Sequence, residues 1–203
     1  MKLQLTDFSE IATQSFAKKA SKIKDVLEKG REPYSPQKDF YKRIRSAVVA
    51  LHKGDAGIEG LDSLMFTLSD RKKRARYALL IPGYKRWMGK KKFGWVAPPQ
   101  STYQYRDHAI SVNPEVGLER SGTVYVIKLY FKKDELTPES ADVITGVMGL
   151  SLPRSEGMIF GVLDVERSRL FVEKKTVRPG LQAIINAELA YIAEMWGDLE
   201  QVA

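Results

Sequence analysis

Thr123-Val124-Tyr125-Val126-Ile127-Lys128-Leu129-Tyr130-Phe131 is a run of nine residues, all β-branched or aromatic except Leu129 and the single charge, Lys128. Side chains alternate across a strand, so Val124, Val126, Lys128 and Tyr130 share one face and Tyr125, Ile127, Leu129 and Phe131 the other. Both faces are apolar, which predicts a strand covered on both sides, the centre of a sheet. Lys128 is the anomaly. A buried ammonium is costly without a partner. Just upstream, Glu115 to Glu119 reads as a second strand, and Arg120-Ser121-Gly122 as the turn of a hairpin. A two-residue turn at Ser121-Gly122 sets Glu115 opposite Lys128, whereas a three-residue turn shifts the pairing by one. Lys128 is therefore expected either to pair with Glu115 or to reach out past a sheet edge.

Further strands follow from the same pattern. Tyr103 to Val112 reads as one strand. Met158 to Asp164 and Arg169 to Val172 read as a hairpin. Thr137-Pro138-Glu139 starts a helix through Val147, and Pro179 opens a last helix with Leu181, Ile184, Ile185, Leu189, Ile192 and Trp196 on one face.

The N-terminal part is helical in pattern. Thr6 is an expected N-cap for a helix carrying Phe8, Ile11, Ala12, Phe16, Ala20, Ile23 and Leu27, ended by Gly30. Gly30 to Tyr34 reads as a loop. Ser35 caps a second helix with Pro36 at its first position, Phe40, Ile44, Val48 and Leu51 as its stripe, and Gly54 as its stop. Ile58, Leu61, Met65 and Leu68 mark a third. Ser69-Asp70 starts a fourth towards Trp87, in which Pro82 is expected to cause a kink or break. The fold expected is α+β: about four helices, then a mixed or antiparallel sheet with an inserted helix and a C-terminal helix. Pro98-Pro99 is a stiff connector. It suggests a helical region over 1–97 and a sheet domain over 98–203, with one compact unit as the alternative.

Composition narrows the chemistry. At 203 residues, 43% hydrophobic and 29% charged, the chain has the makings of a buried core. It has no cysteine, which excludes disulfides and thiolate metal sites and fits a reducing, cytoplasmic setting. No apolar h-region opens the chain, so no signal peptide is expected. No stretch approaches the ~18 apolar residues of a membrane span.

The net charge is +8, and it is concentrated. Eleven of the 33 Lys and Arg fall between Arg71 and Arg106, with none of the 25 acids; outside this segment acids outnumber bases. Arg71, Lys72, Lys73, Arg74 and Arg76 come first, then Lys85, Arg86, Lys90, Lys91 and Lys92, interleaved with Tyr84, Trp87, Phe93 and Trp95. Cations neutralise phosphates and aromatic faces stack on unpaired bases, so DNA or RNA is the first expectation for a partner. An anionic membrane or an acidic protein is the second. Core packing of the two tryptophans with a solvated lysine rim is the structural alternative. Gly83 to Lys90 only superficially suggests a phosphate loop. It has five residues between its glycines, bulky Tyr84 and Trp87, and no Ser or Thr after Lys90.

Pro114-Glu115, a short hairpin and a strand carrying Val126-Ile127-Lys128 resemble the PD-(D/E)XK nuclease superfamily over roughly Asp107 to Val172. The resemblance implies a metal-dependent nuclease in which an acid after a proline and a (D/E)-x-Lys triplet hold Mg²⁺ and activate water. It gives Glu115 and Lys128 catalytic roles. The acid of the triplet is missing, and Glu115 stands where aspartate is usual. Asp164, with Glu166 at i+2 on the expected strand, is the candidate replacement; a charged hairpin turn is the alternative. His108 is a candidate base. Three functions are therefore expected in order: a nucleic-acid-associated protein with a degenerate nuclease-like domain, a nuclease using Glu115, Lys128 and Asp164, and a non-catalytic interaction or scaffold protein.

Overall fold

A computed structural model describes residues 1–31, 39–174 and 179–202. The loop expected after Arg31 and the cap expected at Ser35-Pro36 lie outside the described residues.

The architecture is α+β. The apolar strand around Lys128, β6 (Thr123–Tyr130), is the middle of a five-stranded mixed sheet. It pairs antiparallel with β5 (Val116–Arg120) and parallel with β7 (Met158–Asp164). The outer strands are β2 (Gly94–Val96), antiparallel to β5, and β8 (Arg169–Val172), antiparallel to β7. Ser121 and Gly122 both have positive φ, 53° and 79°, the conformation a two-residue hairpin turn requires. The register is therefore the expected one, with Val116 opposite Ile127.

The two faces of β6 belong to two cores. Ile127, Leu129 and Phe131 pack under α3 (Lys42–Lys53), α4 (Glu59–Thr67) and α5 (Arg71–Met88). Val126 and Tyr130 pack with α1 (Leu5–Ala12), α2 (Phe16–Arg31), α6 (Pro138–Ser151) and α7 (Leu181–Val202). The parallel β6–β7 pair is joined through α6, as a parallel connection demands. Thr137 caps α6 by accepting the Ser140 N–H at 3.1 Å, with Pro138 in the first turn. A small second sheet, β1 (Lys2–Gln4), β4 (His108–Val112) and β3 (Ser101–Tyr105), adds Leu3, Tyr103, Ile110 and Val112 to the second core.

Several expectations are corrected. The first helix is two helices. Thr13 closes α1 by donating its hydroxyl to Ser9 O at 2.8 Å, and Ser15 O accepts the N–H groups of Lys18 and Lys19 at the start of α2. Thr6 lies inside α1, whose N-cap is Gln4. Gly30 lies inside α2, and Phe16, expected in the core, is 83% exposed. Tyr103 to Val112 is a hairpin, turned at Arg106, whose φ is 51°. Pro82 does not end α5, which runs through to Met88. The carbonyl it leaves without an N–H partner belongs to Ala78, and both residues are exposed, so that carbonyl is open to solvent. Nor do the cores divide at Pro98. Elements from before it, β1, α1, α2 and β2, are built into the sheets and into the core beside α6 and α7.

Candidate functional site

Glu115 and Lys128 meet as expected. Lys128 Nζ donates to Glu115 Oε1 at 2.6 Å and to Asn113 O at 2.9 Å. Glu115 Oε2 accepts the Leu129 N–H at 2.7 Å, and Arg45 Nε of α3 lies 3.7 Å from Oε1. The carboxylate thus ends the β5 ladder and neutralises an ammonium whose side chain is 14% exposed.

Asp164 is not part of this group. Its Oδ2 accepts the Leu136 N–H at 3.1 Å and faces the Arg167 guanidinium at 3.3 Å, while Oδ1 accepts the Arg167 N–H at 3.2 Å. These contacts tie the end of β7 to its own turn and to the segment entering α6. The strand ends at Asp164, so Glu166 does not share its face and instead pairs with Arg76. His108 belongs to the other sheet. Among the described residues no three His, Cys, Asp or Glu gather where a metal could bind. One carboxylate with both oxygens occupied does not fit the Mg²⁺ chemistry that the resemblance implies.

The basic segment divides into two sets. Arg76 is a structural clamp: it donates to Phe131 O at 2.7 Å and Lys132 O at 2.6 Å, and pairs with Glu166. Arg74 donates to Leu68 O, Lys85 pairs with Asp62, and Arg86 Nε donates to Ser168 Oγ at 2.9 Å. Lys91 donates to Trp87 O and lies over the Trp87 ring. Lys73 lies over Phe40. Trp87 is buried and stacked on Phe93, with ring centroids 5.5 Å apart. Arg71, Lys72, Lys90 and Lys92 remain exposed. The cause is the amphipathic setting of α5, whose Tyr77, Leu80, Ile81, Tyr84 and Trp87 face the core.

The exposed cations at the end of α5 continue onto a surface that the sequence reading did not single out. Lys53, the last residue of α3, places its ammonium 5.6 Å from the centre of the Trp95 ring on β2. Lys53 and Arg45 also line a shallow, open depression of about 260 Å³ with Ser46, Val49, Ala50 and Asp55. Arg45 in turn approaches Glu115. Lys128 and Arg45 thus share Glu115, Arg45 and Lys53 share the depression, Lys53 covers Trp95, and Lys92 and Lys90 stand three and five residues before Trp95 in the chain. Arg45, Val49 and Lys53 follow helical spacing on the outer face of α3. That signal was available, but only once the inner stripe of Ile44 and Val48 had been assigned.

Beneath this surface His52 hydrogen-bonds Tyr84 through Nε2 at 2.5 Å and meets Phe93 edge-on. Burial lowers the imidazole pKa from 6.5 to about 4 and raises that of the Tyr84 phenol. His52 is therefore neutral at pH 7. Its stabilising contribution is complete above pH 6.5 and is lost as pH falls from there towards about 4, because the unfolded chain takes up the proton first. Reduced for solvent screening of a half-buried ring, the loss is about 1–2 kcal/mol. Denaturant titrations over that interval should show the protein losing this much more than His52→Gln; parallel curves would contradict it. With only two histidines in the chain, the low-titrating imidazole is also directly assignable by proton NMR.

No helix among the described residues is long and apolar enough to cross a membrane. The chain matches no family model, no curated protein and no solved structure.

Proposed function

We propose that this protein binds nucleic acid along the surface formed by the outer face of α3, the edge strand β2 and the basic end of α5. The observation that carries the reading is the continuity of Arg45, Lys53, Trp95, Lys92 and Lys90. Arg45 and Lys53 line a shallow depression, Lys53 lies over the Trp95 ring, and Lys92 and Lys90 stand three and five residues before Trp95 in the chain. Lys90 and Lys92 have no side-chain partner among the described residues, so no existing ion pair has to break before they meet a phosphate. Binding is favoured over cleavage because Glu115 is already committed to Lys128 and to the Leu129 N–H. A reducing, cytoplasmic setting suits a cysteine-free chain acting on nucleic acid.

The test is fluorescence anisotropy with a labelled oligonucleotide across a salt series. Each phosphate contact contributes about one unit to the slope of log affinity against log salt. Lys90→Glu with Lys92→Glu should weaken binding by about tenfold or more and flatten that slope by about two units. Unchanged affinity and slope would refute the proposal. Association with an acidic protein instead would appear as co-purification of that protein without nucleic acid.

A further inference from the structure

We infer that the ligand of this surface is single-stranded nucleic acid, with Trp95 as the platform on which a base stacks. The inference rests on the binding reading above and adds the state of the strand. Trp95 sits on β2, the outermost strand of its sheet, and is half-buried against the core beneath α3 and α5. Its ring is open enough to be approached by the exposed Lys53 ammonium. An exposed cation over an aromatic ring is held weakly, and a nucleobase stacks on the same ring more favourably. A base can therefore displace the ammonium from the ring and leave it free to meet the neighbouring phosphate.

The depression beside it has the matching polarity. Val49 and Ala50 lie between Arg45 and Lys53, which stand at its two ends along α3; Ser46 and the acidic Asp55 complete the lining, and Arg45 also pairs with Asp39. Those ends are separated by about 12 Å of helix, the scale of a short run of nucleotides. A duplex keeps its base faces stacked inside and offers only phosphates to such a surface. A single strand offers both phosphates and bases, so it alone uses the apolar middle and the ring.

The experiment compares one sequence as single-stranded DNA, single-stranded RNA and duplex DNA, by anisotropy at fixed salt. The expected result is about tenfold tighter binding of a single strand over the duplex. Trp95→Ala should weaken single-strand binding by much more than duplex binding and so remove that preference, and Trp95→Phe should restore most of it. The DNA and RNA arms identify which strand is taken. A second readout needs no variant: a strand carrying 5-iodouracil is photo-crosslinked to the unaltered protein, and the crosslinked peptide should contain Trp95. Equal affinity for single strand and duplex, equal losses on both in Trp95→Ala, or a crosslink confined to peptides lacking Trp95 would each overturn the inference while leaving electrostatic binding standing. Failure of all three nucleic acids to bind would overturn the underlying reading as well.

Discussion

Glu115→Ala should destabilise the fold by about 3–5 kcal/mol, the cost of leaving a buried charge without its partner. Two groups lose an acceptor and a third loses one of its anions. Lys128 keeps only Asn113 O, the Leu129 N–H of the central strand loses its acceptor, and Arg45 keeps only Asp39. Water cannot readily replace the carboxylate, because the side chains of Glu115 and Lys128 are only 8% and 14% exposed. Glu115→Gln should cost less, about 2 kcal/mol, since an amide oxygen still accepts a hydrogen bond while the charge goes. Lys128→Met in the Glu115→Gln background should then recover part of the loss, because the unpaired ammonium is the dominant penalty. Urea denaturation of the parent, Glu115→Gln, Lys128→Met and the double variant closes a double-mutant cycle, with Glu115→Ala measured beside it. A coupling near zero, with Glu115→Ala costing under about 1 kcal/mol, would mean that the pair is effectively solvated.

That pair was legible before the fold was known, and the reason is geometric. A strand with two apolar faces next to a two-residue turn admits few registers, and β6 obeyed it. Elements fixed by distant partners were not legible. The three-residue β1 and β2 exist because β4 and β5 supply hydrogen bonds to them, and three residues carry no usable period. The break at Thr13 was hidden because Ala12 and Phe16 keep helical spacing across it. The turn at Arg106 lacks the Gly or Asn that signals positive φ. For the candidate site, the sequence located the cations but not their use. Arg76 and Lys90 look alike in a charge run. Only the packing of α5 against Phe131, Lys132 and Glu166 makes one a clamp and leaves the other exposed. Lys53 and Arg45 were overlooked because they stand outside the acid-free run.

The packing of α5 also determines the second large effect, in Gly83→Ala. Helix propensity alone favours alanine over glycine by about 1 kcal/mol. Here sterics should reverse the sign. A Cβ on Gly83 would lie 2.7 Å from Glu166 O and closer still to Val165 O. Neither carbonyl can yield easily. Val165 N–H is bonded to Tyr130 O at 3.1 Å, Ser168 Oγ donates back to Gly83 O at 2.7 Å, and Arg76 holds Glu166. The helix must therefore move off the sheet, opening the packing of Leu80, Tyr84 and Trp87 against Leu129 and Leu163. The expected net destabilisation is about 3 kcal/mol, a fall in melting temperature of about 6–12 °C for a chain of this size. Gly197→Ala in α7 is the matched control. An added Cβ there meets nothing within 4 Å, so propensity should act alone and leave the protein up to about 1 kcal/mol more stable. If Gly83→Ala also raised the melting temperature, the close approach of α5 to the β7–β8 turn would be wrong. If it lowers it as expected, the outward shift should also displace Lys90 from the surface shared with Trp95. Nucleic-acid affinity measured below the melting transition should then fall, although no cation has been removed.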